Sequence, residues 1–475
     1  MAIRGPKGGM LRFISEKQVE MIYKNALKVL EDVGILVKSE ALLDVFAEAG
    51  GRVDRKEQHV FIDRKIVNAA LEAAPKCVVM SGRDPERDVV LEDRRVYFTF
   101  GGTPNAQIID FETGNFRLST IKDVGAVTTL ADYFESMTVI MTVVGGYDAP
   151  EDCHYLHELA ALFKHTTKPI IYPAPGAEMS KKALQIATAV AGGEEEMRNR
   201  PILSIYAEPT SPLSFTEADE NIIEAARAGA PIVCGPAAMS GATAPMTLPG
   251  NATVGLAENL ASLVAAQTVR EGAPFILGPH CGIMDMKTMR FCYGAPEVHM
   301  GWVIQTQLAD YLNLPIFGMG GCNDSKSPDA QAGAEAAMSA LMAGLCGTNL
   351  VHNVATTAMG DAGCLEMIVI CDDILGYVLR ILKDISVDEE TLAFDVIRNV
   401  GPGGNYLAEM HTLRHFKENY VPKIFDRTDL TTWMKLGHRE TGEIAKERAE
   451  EILKQHRPEP LKEETCREID KILSG

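Results

Sequence analysis

The chain has 475 residues, 46% hydrophobic and 23% charged, with a formal net charge of −19. That composition suits a globular enzyme of one large domain plus additions, and an acid excess of this size excludes nucleic acid and anionic membranes as partners. The N-terminus carries no signal-like apolar run, and no later stretch reaches the roughly 18 uninterrupted apolar residues of a membrane helix, so a cytoplasmic protein is expected.

Residues 1–96 read as a small α/β cap. Ser15 and Gln18 make a capping box for a helix running to about Val33, and a second short helix covers 39–49. Short strands are expected at "HVFID" (59–63) and "CVVMSG" (77–82) with a helix between them. The stretch "RDVVLEDRRVYFTF" reads as a hairpin leading into the first strand of the main domain.

From Tyr97 one pattern recurs: a β-branched or aromatic run ends in Gly, Pro or Asn, and a helix-length segment follows. The runs are "YFTFGGTPN" (97–105), "TVIMTVVGG" (138–146), "KPIIYPAPG" (168–176), "PILSIYAEPTSPL" (201–213), "PIVCGPAAM" (231–239), "PFILGPHCG" (274–282), "PIFGMGGCN" (315–323) and "NLVHNVATT" (349–357). Five of the eight carry proline at or beside the strand start, where it removes no ladder hydrogen bond. Strands that alternate with helices imply right-handed βαβ units, and eight in succession predict a closed (β/α)8 TIM barrel over 97–362. No dinucleotide GxGxxG fingerprint with a later acid supports the open doubly wound alternative. Residues 363–475 read as a C-terminal helical extension ending in a charged, solvated helix, and its apolar helices suggest a homo-oligomer.

In a barrel the strand C-termini carry the site. That places Tyr97 and Phe100 (strand one), Tyr206 and Glu208 (strand four), His280 and Cys281 (strand six), Phe317, Cys322 and Asp324 (strand seven), and His352 and Asn353 (strand eight) among the candidates. The loop after strand seven, "FGMGGCNDSKSPDAQAGAE", has the glycines of a phosphate cradle, but Asp324 and Asp329 argue against an anion there. No strand run has an interior lysine for Schiff-base chemistry, and no nucleophile is flanked by a base. Ten cysteines occur without a CxxC pair. A zinc cluster of Cys281, Cys322 and Cys346 with His280 or His352 has no support from local spacing. What remains is an acidic, aromatic mouth suited to an organic cation. The helix that follows, "DAQAGAEAAMSALMAGLCGT", is rich in Gly and Ala, which suits tight packing or a docking surface.

Three stretches together, "GGCNDSKSPDAQAGAEAAMSALMAGLCGTNLVHNV", "EPTSPL" and "MHTLRHFKENYVPKIFDR", resemble the trimethylamine methyltransferase (MttB) superfamily over about residues 12–455. The resemblance implies methyl transfer from a methylated amine to Co(I) of a separate corrinoid protein. Cobalamin is then carried by that partner and not bound tightly by this chain. The founding trimethylamine enzymes carry pyrrolysine, whereas this sequence has only standard residues, and members without pyrrolysine resemble quaternary-amine methyltransferases. The expected substrate is therefore a betaine-type quaternary amine, glycine betaine or proline betaine ahead of carnitine. Its ammonium is expected among Tyr97, Phe100, Tyr206 and Phe317 with Glu208 or Asp324 as counter-charge. His280, His352 and Asn353 are the expected carboxylate donors. Gly320 and Gly321 are expected to leave open the space where relatives place pyrrolysine. Two alternatives stand beside this reading: a zinc-dependent corrinoid methyltransferase acting on a thiol or alcohol, and a non-catalytic betaine-binding barrel.

Overall fold

Eight short parallel strands close on themselves in the computed structural model, which describes residues 2–474. They are β1 (Tyr97–Phe100), β2 (Met137–Ile140), β3 (Ile170–Pro173), β4 (Leu203–Ala207), β5 (Ile232–Cys234), β6 (Phe275–Leu277), β7 (Phe317–Met319) and β8 (Leu350–Val354). Neighbours pair in parallel in the order β6-β5-β4-β3-β2-β1-β8-β7, and a parallel bridge from Leu277 to Ile316 joins the two ends. The strands alternate with α1 (Ile121–Tyr133), α2 (His154–His165), α3 (Gly176–Ala191), α4 (Asn221–Ala228), α5 (Leu248–Val269), α6 (Pro296–Leu312), α7 (Ala330–Cys346) and α8 (Leu365–Ile381). The eight expected strands are all present, and the architecture is the (β/α)8 barrel.

Strand periodicity divides the core into two layers. Val139, Met141, Ile171, Tyr206, Val233, Ile276, Phe317 and Leu350 fill the barrel interior. Residues of the other parity, such as Phe98, Phe100, Ile140, Ile170 and Ile205, pack outward with the helices. Both faces are buried, which is why the strand runs read as continuous apolar stretches.

The segment before the barrel does two jobs. Strands Val78–Met80 and Val89–Leu91 pair antiparallel, and Val78, Met80, Val89 and Leu91 insert into the interior cluster. This hairpin plugs the N-terminal end of the barrel. The hairpin therefore lies earlier than the expected one over "RDVVLEDRRVYFTF": Val89–Leu91 is its second strand, and β1 belongs to the barrel. The capping box at Ser15 is present, and its helix, Glu16–Lys28, continues as a π-helical turn to Val33. With helices Glu40–Glu48 and Arg64–Ala73 it packs on the outside of α5. That cover explains why α5 has no polar face: Asn251 to Gln267 are buried almost without interruption. The cap sheet is completed from within the barrel, since Ser214–Phe215 of the loop after β4 pairs in parallel with Ile35–Val37.

After β8 the chain returns along the outside. Helix Thr441–Gln455 packs on α8 and α1, and the last helix, Glu463–Ser474, packs on α3. Among the described residues between 383 and 440, only Ile424 is buried. No helix of the described residues is long and apolar enough to cross a membrane.

Candidate active site

Two small sheets crown the C-terminal end of the barrel. One joins Met239–Ser240 to the hairpin Gly282–Asp285 and Arg290–Phe291; the other joins Gln107–Ile109, Phe116–Leu118 and Ala362–Gly363. The first hairpin is tied down twice. Asp324 accepts hydrogen bonds from the backbone N–H groups of Tyr293 (2.8 Å) and Gly294 (2.9 Å), and its own N–H donates to Glu335 at 2.7 Å. Arg290 pairs with Asp361 of the β8 loop.

Glu208, at the end of β4, is the central acid. It presents surface to solvent, yet protein surrounds it closely enough that burial, aided by repulsion from Asp219, pushes its carboxyl up to about 7. The two observations agree if the group lines an open recess: water reaches it, but bulk solvation does not. Burial raises the hydroxyl pKa values of Tyr155, Tyr206 and Tyr293, and the charge of Glu208 adds to the rise in each, after Glu158 in the case of Tyr155. Tyr206 is held by its hydroxyl, which donates to the carbonyl of Gly235 at 3.0 Å. Asp219 is itself pushed up to about 6 by burial, while its capping bond from the Thr216 N–H (2.7 Å) fixes the start of the helical turn before α4.

An aromatic belt runs from β4 to β8. The Tyr206 and Phe317 rings are 5.8 Å apart, Phe317 stacks on His352 at 3.9 Å, and His352 lies 5.2 Å from His280. Trp302 of α6 packs edge-on against His280 at 5.2 Å. His352 donates from Nδ1 to the Gly318 carbonyl at 2.6 Å, if that nitrogen carries the proton, which leaves Nε2 as the free ring nitrogen. Burial pulls His280 down to about 4 and His352 well below its ordinary value, so both rings are neutral near neutral pH. The buried Nε2 of His280 and Nε1 of Trp302 have no partner within the chain. Buried polar atoms are rarely left unpaired.

The structure sets Tyr206, Phe317, His352 and His280 in one belt with Glu208 at its β4 end, and places the other candidates elsewhere. Tyr97 is at the opposite end of the barrel: its hydroxyl donates to the carbonyls of Val90 (2.9 Å) and Ile3 (3.2 Å) in the floor plug. Phe100 packs in the outer layer, because strand alternation sends it away from the interior. Phe317 is wholly buried beneath His352, a floor for the recess and not a wall. Asn353 sits in a left-handed conformation (φ 68°) at the bulge of β8, with its amide oxygen against Gly102. Asp324 is a clamp on the hairpin, with both oxygens committed to backbone N–H groups.

Gly320 and Gly321 do not open the mouth. A Cβ on Gly320 would lie 2.9 Å from the Ser339 carbonyl oxygen and 2.9 Å from Val351, and one on Gly321 (φ +75°) would meet Val354 at 3.1 Å. These glycines let α7 and β8 approach β7 from behind. Asp329 caps α7 by accepting from the Ala332 N–H at 3.0 Å. The small residues of α7 are likewise packing: Ala332, Ala336, Ala340 and Ala343 are buried, and α7 lies against α8. "EPTSPL" is anchored by Glu258 of α5, which accepts from Ser211 Oγ (2.9 Å) and Leu213 N–H (2.7 Å). Cys281, Cys322 and Cys346 do not converge. Among the described residues the only group of three ligand side chains close enough for a metal is Glu390, His411 and His415, far along the chain in the extension.

Tyr155, Tyr293 and Trp302 were not among the strand-end candidates. Tyr293 stands in the β6–α6 loop just before Pro296, so a survey of βα loops as well as strand ends would have found it. Tyr155 and Trp302 lie on helices, where nothing in the sequence separates them from core aromatics. A surface cavity of about 470 Å3, lined by Arg83, Glu196, Arg200, Glu459 and Lys462, lies by the start of β4 and is separate from this recess.

A family model described as "Trimethylamine methyltransferase (MTTB)" matches residues 6–473. The chain is 35% identical over 472 residues to the trimethylamine methyltransferase MttB of Desulfitobacterium hafniense (strain DSM 10664 / DCB-2), spanning 98% of this chain and 94% of that one. It is 32% identical over 466 residues to the glycine betaine methyltransferase of Desulfitobacterium hafniense (strain Y51), spanning 97% and 96%. Among solved structures, the monomethylamine methyltransferase MtmB of Methanosarcina barkeri aligns at 12% identity with a TM-score of 0.49, over 94% of this chain and 95% of that one. The chain belongs to the trimethylamine methyltransferase (MTTB) family.

Proposed function

We propose that this protein moves a methyl group from a betaine-type quaternary amine, glycine betaine or proline betaine ahead of carnitine, to the Co(I) of a separate corrinoid protein. The observation that carries the reading is the pairing of two unlike ends in one recess. Glu208 among Tyr155, Tyr206 and Tyr293 suits a quaternary ammonium, which binds to negative charge and to aromatic faces. The unpartnered ring nitrogens of His280 and Trp302 across the belt suit a carboxylate. A trimethylamine substrate has no carboxylate for that second end.

The partner's cobalamin supplies the nucleophile when bound; no residue of this chain is assigned to hold it. The departing group is a neutral tertiary amine, which leaves with the electron pair of the broken C–N bond and needs no proton. The chain's work is then to orient the substrate and exclude water. Glu208 and the tyrosines hold the ammonium, and the neutral histidines and Trp302 hold the carboxylate. The hairpin clamped by Asp324 and Arg290 covers one side.

The test is a methyl-transfer screen with reduced corrinoid protein and glycine betaine, proline betaine, carnitine and trimethylamine, read as methyl-Co(III) absorbance. Transfer from a betaine and not from trimethylamine supports the reading; transfer from trimethylamine alone, or from no quaternary amine, ends it. We also infer a homo-oligomer, supported by the apolar side chains that the extension leaves exposed, among them Leu407 (88%), Ile385 (81%) and Val387 (76%). Light scattering that returns a monomer mass would refute that inference.

A further inference from the structure

The extension between 383 and 440 has almost no core of its own, with Ile424 its single buried residue. Segments this poor in buried apolar surface are commonly held by a staple or a metal. The extension contains the ligands for one. His411 and His415 stand four residues apart on the short helix Met410–His415, so both rings lie on one face, 4.3 Å between centroids. Glu390, on the turn Glu389–Leu392, approaches the same face: its Oε1 is 3.3 Å from Nε2 of His415. One ligand atom from each of the three lies within 4.8 Å of the others.

The hydrogen bonding around the group favours a cation at its centre. Nδ1 of His415 is 2.6 Å from Oε1 of Glu418. A glutamate there fixes the proton on Nδ1 and leaves the Nε2 lone pair aimed at Glu390, the arrangement that supports histidine ligands in metal sites. The buried Nε2 of His411 has no partner in the chain. Metal–nitrogen bonds of about 2.0–2.1 Å in a tetrahedron set ligand atoms roughly 3.3 Å apart, close to the separation found for His415 and Glu390. Arg414, with Nη2 at 3.1 Å from Oε1 of Glu390, is the competing cation.

We propose that Glu390, His411 and His415 form a structural site for a divalent transition metal of the zinc class, with Glu418 orienting His415 and water in the fourth position. The metal ties residues 389–392 to 410–415 and so orders the extension independently of the barrel chemistry.

The test uses the full chain after chelator treatment. Calorimetric titration with zinc chloride is expected to show about one equivalent per chain, and cobalt(II) chloride to give the visible bands of a low-coordinate nitrogen and oxygen site. His411→Ala, and separately Glu390→Gln, which keeps the side-chain shape, should each weaken zinc by about tenfold or more. Zinc should also slow proteolytic cleavage between 383 and 440. The proposal is overturned if zinc shows no stoichiometric binding at tens of micromolar. It is equally overturned if binding is unchanged in both variants, which means an adventitious ion elsewhere with His415 serving only as an imidazolium between Glu390 and Glu418.

Discussion

Replacing Glu208 by glutamine removes the charge that the recess offers a quaternary ammonium while keeping its size. A unit charge about 5 Å from a cation, at an effective dielectric near 20, interacts by about 3 kcal/mol. Glu208 retains contact with water, and screening reduces this to about 1–2 kcal/mol, or roughly 5- to 30-fold in affinity. The pH dependence is a sharper signature. The carboxyl is held at about 7 by burial and by Asp219, so its raised value favours the neutral acid in the free protein. The charged, binding-competent form is lost as pH falls through 7: about nine-tenths at pH 8 and one-tenth at pH 6. Betaine affinity should therefore drop about three- to eightfold between pH 8 and pH 6, the residual binding of the uncharged form setting the limit. His280 at about 4, and His352 pulled well below its ordinary value by burial, stay neutral over that range and contribute no slope. The assay is calorimetric titration of the isolated protein with glycine betaine and proline betaine at each pH. Glu208→Gln should bind weakly and flatly with pH, and Asp219→Asn should move the wild-type midpoint below 7. A flat wild-type profile, or full affinity in Glu208→Gln, refutes the assignment of Glu208 as the counter-charge.

Three further outcomes follow from the geometry. Tyr293→Leu, which keeps bulk but removes the aromatic face, should weaken the quaternary amine by about 0.5–2 kcal/mol; unchanged calorimetric affinity removes Tyr293 from the cage. Asp324→Ala deletes two charged hydrogen bonds to backbone N–H groups, each of a kind worth about 1.5–3 kcal/mol. It should speed proteolysis within 282–294 and raise KM with only a few degrees' fall in Tm, whereas equal cleavage rates would show that the hairpin is held by other contacts. Gly320→Leu forces a side chain against the Ser339 carbonyl and Val351. It should destabilise the barrel by about 3 kcal/mol or more, read as a large drop in Tm or loss of soluble protein; a stable, inactive Gly320→Leu protein would instead restore the view that this glycine faces the substrate.

The barrel was legible because its signal is a rhythm. Eight short apolar runs, each ended by Gly, Pro or Asn, survive any uncertainty about a single one. Orientation was not legible in the same way. A strand buried on both faces has no polar side to mark which residues point inward, so Phe100 and Phe317 read alike although one faces the helices and the other the interior. Tyr97 is inward but at the wrong end, a distinction that depends on where the plug hairpin sits. The glycines after β7 showed that something approaches closely there, but not from which side; it is α7 and β8 that do. An acidic, aromatic mouth was an expectation from composition alone. The residues that complete it, Tyr155, Tyr293 and Trp302, come from loops and helices whose packing only the fold reveals.

The hairpin that stoppers the barrel's lower end has a kinetic meaning. Val78, Met80, Val89 and Leu91 fill that end of the barrel, which leaves the C-terminal end as the open one. Under the proposed function, amine, departing product and corrinoid partner would all use that end. A docked partner stands in the route by which a small molecule arrives or departs. The order expected from that function is then amine first, partner docked over it, and demethylated amine released only after the partner has gone. Excess corrinoid protein should in consequence slow turnover by sealing the doorway before the amine has entered.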